Sequence, residues 1–285
     1  MKKIYVISVI LIFSSFFVAQ WFLEDKQTSV LKYFPIDETV SFTSYGTELN
    51  MLRQTDQDEY DIKWSSYSLL DKPVYLRQDV SLLYADGRLM GILSKWKENE
   101  QNIKLQSMVH GEDSSHYQTI TFHHGELHYP DDKIKSIQAM SSDELYVIDS
   151  PYSALESFDQ PTNYSQKEWK NTLDRATNQQ LRYYWKQLID YFQIPENKYE
   201  FVPLTDIGKY QQTPIPTLNQ QQTDRVIGQL WEGIYKNYII PLSSNKKPVK
   251  SFVPLVLFDK EGEQLMVLFE NEKGQKEQLV QLYPR

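Results

Sequence analysis

The sequence predicts an α+β fold built on antiparallel sheets, and three observations predict it. Residues 37–150 fall into short β-branched or aromatic runs separated by turn signals. Residues 165–192 and 219–239 carry apolar side chains at helical spacing. Residues 251–283 return to three strand-like runs around two glycine-bearing turns. Ahead of all these stands an apolar segment of a different kind.

Residues 4–23 read IYVISVILIFSSFFVAQWFL, twenty residues without a charge, preceded by Lys2 and Lys3 and followed by Glu24 and Asp25. Twenty helical residues rise about 30 Å, the thickness of a bilayer's hydrocarbon core. The two lysines favour the cytoplasmic side, and Trp21 and Phe22 suit the outer interface. A cleaved signal has a shorter apolar core and small residues before the cut. Here Phe17 occupies the position that a cut after Ala19 reserves for a small side chain. The run therefore reads as a retained signal anchor. The expected layout is a cytoplasmic tail at 1–3, a single transmembrane helix at 4–23 and a tether at 24–36. A mostly-β extracytoplasmic domain at 37–160 and an α+β extracytoplasmic domain at 161–285 follow.

In the first of these domains the runs YDIKWSSYSLL, VYLRQDVSLLYA, RLMGILSKW, NIKLQSMV, YQTITF and ELHY each read as a strand. Asp86-Gly87, His124-Gly125 and Pro130-Asp131-Asp132 read as the turns between them. Alternation, as in Ile120 and Phe122 against Thr119 and Thr121, predicts one buried and one wet face. Pro151 and Pro161 break the pattern near the expected boundary.

Helix signals follow. Ser165 and Glu168 have the spacing of a capping box. Trp169, Leu173, Ala176, Leu181, Tyr184, Leu188 and Tyr191 form the apolar stripe up to Pro195. Ile227, Leu230, Ile234 and Tyr238, widened by Val226 and Trp231, form a second stripe that Pro241 should stop. The C-terminal runs FVPLVLF, QLMVLFE and KEQLVQLY predict a three-stranded meander turning at Gly262 and Gly274, on which both long helices should pack. Its likeness to residues 80–90 is of the kind any two meanders share.

Composition narrows the chemistry. With no cysteine, disulfides, thiol catalysis and zinc–thiolate sites are excluded. Two of the thirty Lys and Arg, and none of the thirty-eight Asp and Glu, lie before residue 24, so the remainder carries a net charge of −10. That argues against a nucleic-acid partner. Glycine is scarce, at ten residues, and no Walker A loop or GxSxG elbow is present.

All five histidines lie between 110 and 128. A hairpin turning at His124-Gly125 would set His123 opposite Glu126 and Thr121 opposite His128 on its wet face. His123, Glu126 and His128 are thus the candidate metal ligands, on a surface that more simply reads as a solvated, histidine-rich hairpin face. No catalytic residue and no cofactor is assigned.

These readings converge on a non-catalytic, membrane-anchored extracytoplasmic binding or regulatory protein of a bacterial envelope, of Gram-positive type by its lack of cysteine. It would cross the membrane once and act through an envelope or membrane protein partner. The alternative is an envelope enzyme, metal-assisted through the 110–128 histidines, or a glycan-binding module using exposed Trp and Tyr. In layout alone, without a shared motif, the chain resembles single-pass regulatory proteins of Gram-positive bacteria.

Overall fold

The computed structural model describes residues 31–53, 59–243 and 251–283. The expected span at 4–23 lies outside the described residues, among which no helix is long and apolar enough to cross a membrane. The described chain is α+β, with two antiparallel sheets.

The larger sheet comprises β1 (Phe42–Arg53), β2 (Tyr60–Ala85), β3 (Arg88–Gly111), β4 (Ser115–His128), β5 (Ile134–Ser150) and β6 (Ser153–Phe158). Its order is β1-β2-β4-β5-β6, with β3 also paired to β2. The long strands are fewer than the sequence suggests, because neighbouring runs fuse. Between Leu69 and Val74, β2 advances five residues while β3 advances two, from Asn102 to Glu100. Such a bulge takes up Pro73, whose missing N–H leaves no ladder bond unmade.

The expected turn at His124-Gly125 is also overturned. β4 runs straight through it, pairing Gly125 with Arg77 on one side and Ile137 on the other. Gly125 serves close packing instead. A Cβ there would meet Val74 at 3.1 Å and Ile137 at 3.2 Å. Turns do form at Asp86-Gly87, where φ is 48° and 79°, and at Gly262 and Gly274, both in the left-handed region that glycine tolerates.

The centre of this sheet is buried on both faces, so the expected wet face of β4 does not exist. On one face Val80, Leu82, Ile120, Phe122 and Met140 meet the helices. Over the other face β1 folds back, packing Leu49 with Trp64, Leu83, Leu145 and Val147.

Helix α1 (Tyr164–Tyr191) joins the two halves of the chain. Leu173 packs with Tyr146 and Phe158 of the large sheet, and Trp169 leans on the same group. Tyr184, Leu188 and Ile189 pack on Leu255, Leu257, Met266 and Leu268 of the small one. Only the C-terminal half of α1 therefore docks on the meander, and Tyr191 is exposed. Its cap is Asn163, whose side chain accepts from the Gln166 amide at 2.9 Å, while Gln166 reaches back to the Thr162 amide at 2.8 Å. Ser165 is exposed within the first turn. Asn163→Ala should therefore cost about 0.5–2 kcal/mol, and Ser165→Ala less than about 0.5. Urea midpoints of the two variants check the order, and a larger loss at Ser165 restores the capping box read from the sequence.

The small sheet has order β10-β9-β8-β7, with β7 (Tyr199–Pro203), β8 (Leu255–Asp259), β9 (Gln264–Glu270) and β10 (Lys276–Leu282). β7 extends the expected meander to four strands. A 3-10 segment, Leu204–Gln211, leads to α2 (Gln220–Ile234). Asn219 and Gln222 form a reciprocal capping box at its start. At its end a π turn, Tyr235–Ile239, carries the chain into a last helical turn at Ile240–Ser243. Pro241 thus sits inside the helical path, accommodated by the wider turn, rather than stopping it. Ile227, Trp231 and Ile234 of α2 share one core with Phe122 of the large sheet and Val256, Phe258 and Val267 of the small one.

Candidate functional site

On a straight strand, residues an odd number apart lie on opposite faces. Because β4 does not turn at Gly125, His123 faces β1, while His116, His124, Glu126 and His128 face the other way. The expected grouping of His123 with Glu126 and His128 is therefore not formed. His128 stacks on Tyr75 with ring centroids 3.7 Å apart and lies 3.5 Å from Glu126, at the sheet margin. Burial pushes the Glu126 carboxyl up, against the pull of His128. His110 stands on the far rim of the sheet. Its imidazole lies 3.3 Å from Glu59, 3.3 Å from Asp61 and 3.9 Å from Glu112. Among the described residues, Glu59, His110 and Glu112 are the one group whose ligand atoms converge closely enough for a metal ion, and Glu112 is exposed.

His123 belongs to a buried polar network rather than a wet face. Its Nδ1 donates to Asp79 Oδ2 at 2.7 Å, and its Nε2 lies 2.8 Å from Ser141 Oγ. Asp79 also accepts from Ser68 at 2.6 Å and pairs with Arg77 at 3.4 Å. Arg77 bonds Ser68 through the same nitrogen and the Gln101 carbonyl at 3.1 Å through its other one. The order serine–histidine–aspartate is that of a hydrolase relay. The setting differs, because Ser141 lies mid-strand and its Oγ is covered by Thr47 Oγ1 at 2.6 Å. Thr47 in turn meets Thr121 at 2.7 Å, and Thr121 meets Ser81 at 2.6 Å. The hydroxyls join β1 to the sheet beneath it, and a chain of buried hydrogen bonds of this kind rigidifies a fold.

The opposite face holds a polar cavity of about 270 Å³ at the junction of β4, β5, α1 and the 3-10 segment. His116 forms its floor, stacked on Tyr146 at 4.2 Å, with Nε2 3.4 Å from Glu144 and Nδ1 3.7 Å from Asp174. Tyr146 donates to Asp174 at 2.8 Å, and Lys170 binds Asp174 at 2.9 Å and also the Tyr146 hydroxyl. Asp206, from the 3-10 segment, completes the wall. The bond to His116 is foremost in holding the Glu144 carboxyl below its ordinary pKa, whereas burial pushes Asp206 up. Residues 116, 144, 174 and 206 come from four elements, so no local motif announces the cavity.

A second concavity, of about 490 Å³, runs between α2 and β10. Leu230, Leu265, Val267 and Leu279 line it, and Glu232 and Lys236 stand on its rim. β10 ends the small sheet and leaves Val280 and Leu282 exposed, at 54% and 72%.

The chain is thus defined as a two-sheet α+β protein whose described residues include a polar cavity beneath α1 and an apolar groove beside β10. No protein-family model, curated protein or solved structure matches it.

Proposed function

We propose that the chain is a membrane-anchored extracytoplasmic protein of a Gram-positive-type envelope, non-catalytic, and that it acts by binding a protein partner along β10. The observation that carries this reading is the groove beside that strand. A sheet edge offers a row of backbone donors and acceptors, and soluble proteins usually blunt such edges with charge, proline or a cover. Here the charges on the edge are confined to Lys276 and Glu277 at one end of β10, and the other end presents Val280 and Leu282 beside an apolar trough. An extended segment of a partner can add as a further strand and seat alternate side chains in the groove. The uncharged run at 4–23, after two lysines, supports the anchor and the orientation.

The alternative of an envelope enzyme has one observation in its favour, the Ser141–His123–Asp79 order. The enclosure of Ser141 by Thr47 counts against it, because an acyl-transfer nucleophile needs open approach and oxyanion donors.

Crosslinking tests the partner reading. Full-length protein in membranes, with a photo-reactive residue at position 280, should give a discrete adduct. The same residue at 183, exposed on α1, should not. Leu282→Lys should abolish the adduct while changing stability by less than about 0.5 kcal/mol, as surface substitutions do. Equal labelling from both positions counts against the proposal.

A further inference from the structure

We infer that the cavity beneath α1 binds a small molecule carrying a primary ammonium and hydroxyl groups, of amino-sugar size. The inference is independent of the partner groove. Three carboxylates, Glu144, Asp174 and Asp206, face this cavity against one lysine and His116, which lies beside Glu144 and Asp174 but forms no ion pair with Asp206. Lys170 is committed to Asp174. Asp206 accepts from the Thr205 hydroxyl at 3.3 Å and makes no ion pair among the described residues. The cavity is therefore short of positive charge.

The independent observation is a pair of orphaned polar atoms. His116 Nδ1 and Thr177 Oγ1 are buried without a hydrogen bond, in residues only 5% and 4% exposed, and both residues line the cavity. Buried polar atoms are nearly always paired, so two orphans on one cavity wall call for a ligand that supplies the partners. The imidazole stands between two carboxylates, with Nε2 3.4 Å from Glu144 and Nδ1 3.7 Å from Asp174, the latter too far for a hydrogen bond. An ammonium, with three donors and no planar constraint, can bond Asp206 and the neighbouring carboxylates together. A hydroxyl satisfies Thr177. Gln118 and Asn178 add amide groups for further hydroxyls.

A bare metal ion fits less well. Lys170 already stands at Asp174, and a dedicated metal site needs three or four converging ligands. At about 270 Å³ the cavity has space for a small organic molecule rather than a bare ion.

Calorimetry on the detergent-solubilised full chain is the test, with D-glucosamine as probe, and N-acetylglucosamine and zinc chloride as the comparison arms. Saturable glucosamine binding is expected, with no N-acetylglucosamine binding because acetylation removes the charge. Asp206→Asn should weaken binding about tenfold or more, the worth of one charge-assisted hydrogen bond. Thr177→Val should also weaken binding, yet leave the melting temperature unchanged or raised, since it deletes a hydroxyl that bonds nothing in the free protein. This second variant decides the matter if Asp206→Asn does not fold. Equal binding of N-acetylglucosamine, no glucosamine binding at millimolar concentration, zinc binding abolished by Asp206→Asn, or a Thr177→Val protein that loses stability would each overturn the inference.

Discussion

Arg77→Met is expected to destabilise the fold by about 3–5 kcal/mol, the cost of breaking a fully buried ion pair. Arg77 and Asp79 have no solvent exposure, and the guanidinium sits over the Phe42 ring at 5.3 Å. Burial pulls the Arg77 pKa down while Asp79 opposes it. Methionine keeps most of the length but removes the charge, the bond to Ser68 and the bond to Gln101. Asp79 then retains only His123 and Ser68 as donors, with its charge no longer balanced. The double variant Arg77→Met/Asp79→Asn should recover more than half of the loss, because the uncompensated charge is the larger part of it. Urea unfolding of the three variants measures both quantities. A single-variant loss below about 1 kcal/mol would show that water reaches the pair.

Acidification from pH 7.5 to 4 should remove about 3 kcal/mol of stability through His124. This histidine lies on the helical face beside Phe122, fully buried, with neither ring nitrogen in a hydrogen bond of good geometry. Burial, then the Arg77 charge, pushes its pKa down to about 4, against the pull of Asp79 and the Lys32 backbone. In the unfolded chain the value returns to about 6.5. Between those values the unfolded state binds the additional proton, so stability is full above about pH 6.5 and falls as pH drops toward 4. The stability difference between wild type and a His124→Leu variant should therefore change by about 3 kcal/mol over that range, which isolates this histidine from the carboxylates that titrate alongside it. Asp37 acts in a lower window. Burial raises its pKa, but hydrogen bonds from Thr39 and Tyr129 and the Lys135 charge outweigh it and hold the carboxyl well below the usual range. Its contribution is present above about pH 4 and lost only below it. Parallel profiles for wild type and His124→Leu from pH 7.5 to 4 would place His124 in contact with water.

What the sequence makes legible here is local chemistry. Asp86-Gly87, Gly262 and Gly274 read as turns because only certain residues accept positive φ, and the α2 stripe reads as a helix because its period is local too. Gly125 misleads for the complementary reason. A glycine required by a neighbour's bulk looks the same in sequence as one required by a turn, and Val74 and Ile137 lie 51 and 12 residues away. That single misreading turned His123 outward and grouped it with His128. The Asn219–Gln222 capping box is local chemistry of the same kind, whereas β7 is too short to stand out beside Pro203. The His116 cavity was beyond reach, because it depends on how α1 lies across β4 and β5.

One contact also bears on how fast the protein folds. The Tyr33 amide donates to Glu232 of α2 at 3.1 Å, across 199 residues, and the Tyr33 ring lies where a Cβ on Gly228 would stand. Leu31 is buried in the core that α2 shares with both sheets. Leu31 and Tyr33 must therefore wait for nearly the last helix before these contacts can close. Folding rates fall as contacts become more distant in sequence, because chain entropy is spent before those contacts return anything. A polypeptide emerging N-terminus first carries these residues unpartnered for most of its synthesis. Refolding of the intact chain should accordingly be slow for its size, with the Tyr33–Glu232 closure among the late events.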